Sequence, residues 1–250
     1  MTEHSVATNS VERSFRVLRF LAEGGSTANL SEAARSLDVN RVSLMRLLET
    51  LEGCGMLVAL PQGGHRLGLA FLSLAATAAD GFDLTARARW VLPELARKTG
   101  MTAYLVVRDE ADIVYLQREI PDTPLISRVR TGSRLPAYCA TPGLAMLAAM
   151  PDELVAALHA RHWQGEDAPA QDELLARLEQ IRTAGCVWSW SGLEPGIDAC
   201  AAVIRSRRGE VLGALSVAGP HHVLADDPKR IVGIQTDVML AAEQLGASSF

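Results

Sequence analysis

The stretch Asn40-Arg41-Val42-Ser43-Leu44-Met45-Arg46-Leu47-Leu48-Glu49-Thr50-Leu51-Glu52 decides how this chain is read. Leu44, Leu47, Leu48 and Leu51 recur at i, i+3, i+4 and i+7, the spacing that places side chains on one face of an α-helix. At ~100° per residue, the opposite face carries Val42, Arg46 and Glu49, with Ser43, Met45 and Thr50 beside it. Arg41 lies on the flank near the start. Asn40 is suited to cap the helix, because its side chain can accept a free backbone N–H of the first turn. A helix with a leucine stripe on one side must press that side onto a small core, so the neighbouring residues have to supply one.

Working outward, Val11, Phe15, Leu18 and Ala22 fall on one helical face, flanked by Val17 and Leu21, and Gly24-Gly25 ends that helix. Leu30-Ser31-Glu32 looks like a second start, with Ser31 as cap and Glu32 in the first turn. Asp38-Val39-Asn40 breaks this helix after about two turns. Two short helices, a three-residue turn and an amphipathic third helix make a helix-turn-helix. Beyond Gly53-Cys54-Gly55, the apolar run Met56-Leu57-Val58-Ala59-Leu60 turns at Pro61-Gln62-Gly63-Gly64 and returns as His65-Arg66-Leu67, a β-hairpin wing.

A third helix of this width fits the major groove, its N-terminal residues nearest the base edges. Ser43 and Arg46 are placed to reach phosphates or bases, and Arg66 in the wing to reach a phosphate or the minor groove. Val42 and Met45 are apolar on an outward face, and thymine methyl groups would cover them. Arg41, Val42, Ser43, Met45, Arg46 and Arg66 are therefore the candidate contacts to a double-stranded DNA operator. The same periodicity occurs in winged helices that dock protein, so the pattern alone leaves both partners open.

The chain has 250 residues, 48% hydrophobic, 21% charged and 5% aromatic, enough apolar material for one large domain or two modest ones. No segment reaches ~18 unbroken apolar residues, so no transmembrane helix is expected. The opening MTEHSVATNSVERS lacks the charged-then-apolar layout of a signal peptide, so a cytoplasmic protein is expected. The 24 basic and 29 acidic residues give a net charge of −5. Residues 1–66 hold seven arginines and seven acids, so the −5 falls in residues 67–250. Lys98 and Lys229 apart, the basic residues are arginines, the better residue for forked contacts to phosphate and guanine.

Residues 69–80 are apolar nearly all round, which suggests a helix buried against a partner chain or, otherwise, a core helix of a second domain. Helices are expected at 84–99, 141–149, 151–159, 172–184 and 228–245, the second of the middle pair with Pro151 at its first position. Residues 172–184 carry a stripe of Leu174, Leu175, Leu178 and Ile181. Strands are expected at 104–107, 113–116, 125–129, 187–191, 200–205 and 211–217. The order gives an α+β fold with a mostly antiparallel sheet. The expected organisation is a DNA-binding domain at 1–68, a linker helix at 69–82 and a second domain at 83–250.

The usual catalytic and phosphate-binding motifs are absent, so no catalytic residue and no cofactor are expected. His221-His222 beside Asp226-Asp227 resembles a metal pair, but adjacent residues rarely ligate one ion, and solvated loop histidines are the simpler reading. Cys54, Cys139, Cys186 and Cys200 are too scattered for a metal site or a disulfide scaffold, and the last three read as small core residues. Trp188 and Trp190 alternate on a strand and share a face, as core or as a pocket wall. Glu194 is a carboxylate in a loop.

These residues resemble the IclR family of bacterial transcription regulators. Val11-Glu12-Arg13-Ser14 with Val17-Leu18-Arg19-Phe20-Leu21 is similar to its first helix, residues 40–51 to its recognition helix, and Arg66-Leu67-Gly68 to its wing exit. Gly132, Leu135-Pro136 and residues 140–147 resemble the middle motif of the effector domain. Gly185-Cys186-Val187, Glu194-Pro195-Gly196-Ile197, Ala201-Ala202, Gly209-Glu210-Val211 and residues 214–220 resemble the C-terminal one. The resemblance implies a winged helix, a linker helix, a GAF-like effector domain, and homodimers able to pair into tetramers. It also implies a small organic or aromatic acid as effector. The implied effector-binding positions are Leu135, Thr141, Pro142, Trp188, Ser189, Trp190, Ala199, Ser216 and Ala218.

The chain departs from the family pattern at several of these. Ser189 stands where aspartate is common, Ala199 where cysteine is common, Val203 where proline is common and Ala218 where serine is common. Cys200 is one residue off, which in a strand means the opposite face. Pro142 has no N–H for a carboxylate. Fewer polar anchors imply a larger, partly apolar or aromatic ligand, with Trp188 or Trp190 near it. The competing class is a sensor or enzyme whose winged helix docks protein.

Overall fold

Asparagine side chains open the first three helices of the chain. The structure, a computed structural model, describes residues 9–80, 83–122, 129–165, 167–221 and 227–247. Helix α1 (Ser10–Ala22) starts in a capping box, where Asn9 accepts from the Glu12 amide and the Glu12 carboxylate accepts from the Asn9 amide. Helix α2 (Leu30–Ser36) is capped by Asn29, which accepts from the amides of Ser31 and Glu32. Ser31 is thus inside the first turn and not the cap expected of it. Helix α3 (Arg41–Gly53) is capped by Asn40, as its sequence predicts.

Contacts divide the chain into two units, residues 1–81 and 82–250. In the first, Leu44, Leu48 and Leu51 pack with Val17, Leu18, Ala33, Ala34, Leu37 and Leu57, while Leu47 is only half-buried at the edge of this core. In α1 the inward residues are Val17 and Leu18; Val11 and Phe15 are exposed, which corrects the face expected from their spacing. Strands β1 (Leu57–Ala59) and β2 (His65–Leu67) pair antiparallel, Val58 opposite Arg66, around the expected turn. Helix α4 (Leu69–Asp80) rests Phe71 on the same core and leaves residues 72–78 exposed, Leu69, Leu72 and Leu74 among its exposed side chains. It belongs to the first unit, so it is no core helix of the second.

The second unit is built on one antiparallel sheet in the order β5-β4-β3-β8-β7-β6. Its strands are β3 (Thr102–Asp109), β4 (Asp112–Glu119), β5 (Arg134–Pro136), β6 (Val187–Ser189), β7 (Ile197–Arg205) and β8 (Val211–Pro220). Helix α5 (Asp83–Thr99) and the last helix, α9 (Pro228–Ala247), bury Leu92, Leu95, Val238 and Leu245 against one face, with Leu105, Cys200, Leu215 and Val217. Helices α6 (Thr141–Ala148), α7 (Asp152–His162) and α8 (Gln171–Ala184) cover the other face, with Val106, Ile113, Ala201 and Ala214. The period of two along each strand sorts neighbours to opposite layers.

Pro151 is the N-cap of α7 and not its first helical residue. In α8, Leu174, Leu178 and Ile181 are buried and Leu175 is half-buried. Strand β5 had no sequence prediction; its three residues pair with β4 at Asp112, Ile113 and Val114. Residues 125–128 of the expected strand at 125–129, and His222 and Asp226 of the histidine loop, lie outside the described residues. Cys186 and Cys200 are buried, Cys139 is half-buried and Cys54 exposed.

Candidate nucleic-acid interface and ligand cavity

The face of α3 opposite its leucines is open. Arg41, Arg46 and Glu49 are exposed, Val42 is 61% and Met45 41% exposed, and Ser43 is half-buried. The cap fixes how this face begins: Asn40 Oδ1 accepts the Ser43 amide at 2.7 Å. Arg66, exposed on β2, donates to the carbonyl of Leu67 at 3.3 Å. Beside it, His65 braces the wing. The Thr27 hydroxyl lies 2.9 Å from His65 Nδ1, and His65 Nε2 lies 3.6 Å from the Glu52 carboxylate at the end of α3. With the ring proton on Nε2, one imidazole accepts from the loop before α2 and faces the last turn of α3. The sequence offered His65 only as a strand residue; Thr27, buried to 2% exposure, is the partner that spacing cannot reveal.

In the second unit a small cavity of about 30 Å³ opens on the layer under α6. Thr141, Pro142, Ser189, Ala199, Ser216 and Ala218 line it, six of the nine implied effector positions, with Tyr104, Tyr115, Val129, Leu193, Glu194 and Ile197. Leu135 lines an adjoining outer cleft that shares Val129, Leu193, Glu194 and Ile197. Trp188 and Trp190 line neither. Trp188 points to the α5/α9 layer, because it alternates with Val187 and Ser189. Trp190 lies past the end of β6 and stacks on Trp188, with centroids 5.1 Å apart and planes 7° from parallel. The wall of this cavity carries tyrosine, Tyr104 and Tyr115, and neither tryptophan.

Tyr104 and Tyr115 meet edge to face at 5.3 Å and 81°. Burial, then the neighbouring Tyr104 and Glu194, push the Tyr115 phenol well above its ordinary value, so it is a neutral hydroxyl at any physiological pH. Ser216 donates to the Cys200 carbonyl at 3.1 Å. The N-terminal end of α6 reaches the cavity through Thr141 and Pro142. At Gly143 a Cβ would collide with the Ala137 carbonyl, so glycine lets the helix start lie against the preceding turn. The two tyrosines were missed because they sit on separate strands; the β3–β4 register, Val106 opposite Tyr115, brings them to one face.

A winged helix-turn-helix followed in the same chain by an α+β unit with its own cavity is the build of a transcription regulator. Two family descriptions match: "IclR helix-turn-helix domain" over residues 10–61 and "Bacterial transcriptional regulator IclR C-terminal" over residues 76–245. The chain belongs to the IclR family. It is 25% identical to the HTH-type transcriptional regulator XynR of Escherichia coli over 214 residues, 84% of this chain and 85% of that protein. Among solved structures, an IclR transcriptional regulator from Alicyclobacillus acidocaldarius superposes with a TM-score of 0.80 at 26% identity, covering 95% of this chain and 97% of that one. An IclR homolog of Microbacterium hydrocarbonoxydans, complexed with 4-hydroxybenzoate, gives 0.79 at 21% identity, covering 96% and 100%. Among the described residues, no single helix is long and apolar enough to cross a membrane.

Proposed function

We propose that this regulator reads a double-stranded DNA operator with the outer face of α3 and the wing, through Arg41, Val42, Ser43, Met45, Arg46 and Arg66. The observation that carries this reading is the exposure of Val42 and Met45 between arginines, on a helix whose Leu44, Leu48 and Leu51 are buried. Apolar side chains on an outward helix face gain most where a thymine methyl covers them, and the arginines supply phosphate or guanine contacts. Duplexes selected from a random library on the full-length protein test it by fluorescence anisotropy: Arg46→Ala weakens binding by about 1–3 kcal/mol if the side chain reads a base. Unchanged affinity contradicts the assignment.

The working form is a homodimer, able to pair further into a tetramer. Leu69, Leu72 and Leu74 of α4 and Val11 and Phe15 of α1 are exposed apolar side chains in one unit, and a second copy supplies the cover that a single chain does not. In this organisation residues 1–68 read DNA, residues 69–82 link, and residues 83–250 bind effector and contribute to assembly. The protein works in the cytoplasm, where its operator is, as a regulator of a metabolic operon and without a catalytic residue.

The effector is a small, partly apolar or aromatic acid seated in the outer cleft, about 570 Å³, and reaching the cavity wall behind it. Tyr104, Tyr115, Leu193, Ile197, Ala199 and Ala218 offer ring and aliphatic surface, and the start of α6 favours a negative group. The 4-hydroxybenzoate bound by the Microbacterium hydrocarbonoxydans homolog is of this chemistry. Calorimetry with aromatic and aliphatic acids tests it; tight glyoxylate or pyruvate binding with none of any aromatic acid overturns it.

A further inference from the structure

Strand β7 sends Ile197 and Ala199 into the cavity and Asp198, between them, the other way. Asp198 is completely buried, and a buried carboxylate is costly unless its oxygens are bonded. Both are. Oδ1 accepts the Ser191 amide at 3.0 Å, and Oδ2 accepts from His221 Nδ1 at 2.8 Å. The same two residues hold the far end of the loop, since the His221 amide donates to the Gly196 carbonyl at 2.8 Å and the Gly196 amide donates to Ser191 Oγ at 3.1 Å. Ser191 sits at φ +52°, a left-handed conformation that a residue with a Cβ keeps only under restraint, and the bond from Asp198 is such a restraint. Between these two feet, Gly192 lies so close to cavity-lining Ser189 that a Cβ would collide with its hydroxyl. Leu193 and Glu194 form the wall of the cavity and of its outer cleft. His221 also meets Trp190 edge-on, with centroids 6.5 Å apart.

We propose that Asp198 and His221 are positioning residues for this cavity: a clasp on the reverse side of the sheet that sets the loop of residues 190–196 and thereby its outer wall. Neither residue lines the cavity, so they act through the loop. The proposal rests on reading the cavity as the effector site, but the clasp is testable without any ligand.

The test uses full-length protein and the variants Asp198→Ala, Asp198→Asn and His221→Ala. Backbone amide exchange of residues 191–196 is followed by mass spectrometry, with circular dichroism to check folding and calorimetry with 4-hydroxybenzoate as the aromatic carboxylate probe. Asp198→Ala is expected to speed exchange in this loop by about tenfold or more. Asp198→Asn is expected to restore it to within about twofold of wild type, because its amide oxygen still accepts from Ser191 and its NH2 donates to Nδ1 of a neutral His221. Probe affinity should fall and recover in the same order. If Asp198→Ala does not fold, His221→Ala should speed exchange at Ser191 by about threefold, since it frees one oxygen of Asp198 and leaves the backbone bonds. Folded variants with unchanged loop exchange, or an Asn variant no better than Ala, overturn the proposal. A wild type that ignores the probe counts against the aromatic-acid reading, while exchange still decides the clasp.

Discussion

Asn40 and Ser43 are joined across the first turn of α3, the asparagine oxygen accepting the serine amide at 2.7 Å. The residue that stops the preceding turn therefore also orients the first residues of the proposed DNA interface. Asn40→Ala removes this acceptor and is expected to cost about 0.5–2 kcal/mol of stability in the N-terminal unit, read by urea unfolding. Asn40→Asp keeps an acceptor and should restore most of it.

Leucine spacing and the Asn40 cap made α3 legible in the sequence, because both are local, whereas the caps Asn9 and Asn29 were not picked out. The errors there came from faces that periodicity cannot orient: Val11 and Phe15 share a stripe, yet it is Val17 and Leu18 that turn inward. In the second unit, strand alternation predicted which residues share a face but not which layer covers it. Trp188 is the clear case, since its neighbours Val187 and Ser189 belong to the opposite layer. The long-range partners Thr27 with His65, Tyr104 with Tyr115, and Asp198 with His221 depend on tertiary pairing, and no spacing in the chain announces them.

The wing brace has its own consequence. Thr27→Val keeps the shape of a buried side chain and deletes its hydroxyl, leaving His65 Nδ1 without that donor. Stability should fall by about 1 kcal/mol, and the amides of β1 and β2 should exchange faster. Intact exchange in the wing would mean that His65 does not hold it.

Leu72→Asp and Leu74→Asp each place a charge at an exposed apolar position of α4, on different sides of the helix. The proposed dimer predicts that these variants sediment as a smaller species than wild type at the same concentration, and that operator affinity drops with them. Wild-type assembly in both would remove α4 from the subunit contact.

Ala218→Leu fills part of the cavity next to Ser216. Aromatic-acid binding should weaken about tenfold or more, a loss of at least ~1.4 kcal/mol, while operator binding without effector stays as in wild type. Equal loss of both would place the change in folding rather than in the cavity.

The most direct test of the account is the salt dependence of operator binding by wild type, Arg46→Ala and Arg66→Ala, with the α5 variant Arg89→Ala as control. Wild-type affinity is predicted to fall steeply as salt rises, an arginine that contacts a phosphate should lower that slope by about one, and one that reads a base should lower affinity at every salt concentration. Arg89→Ala should match wild type. If both α3 and wing variants bind as tightly as wild type with the same slope, the outer face of α3 is not the surface that meets DNA.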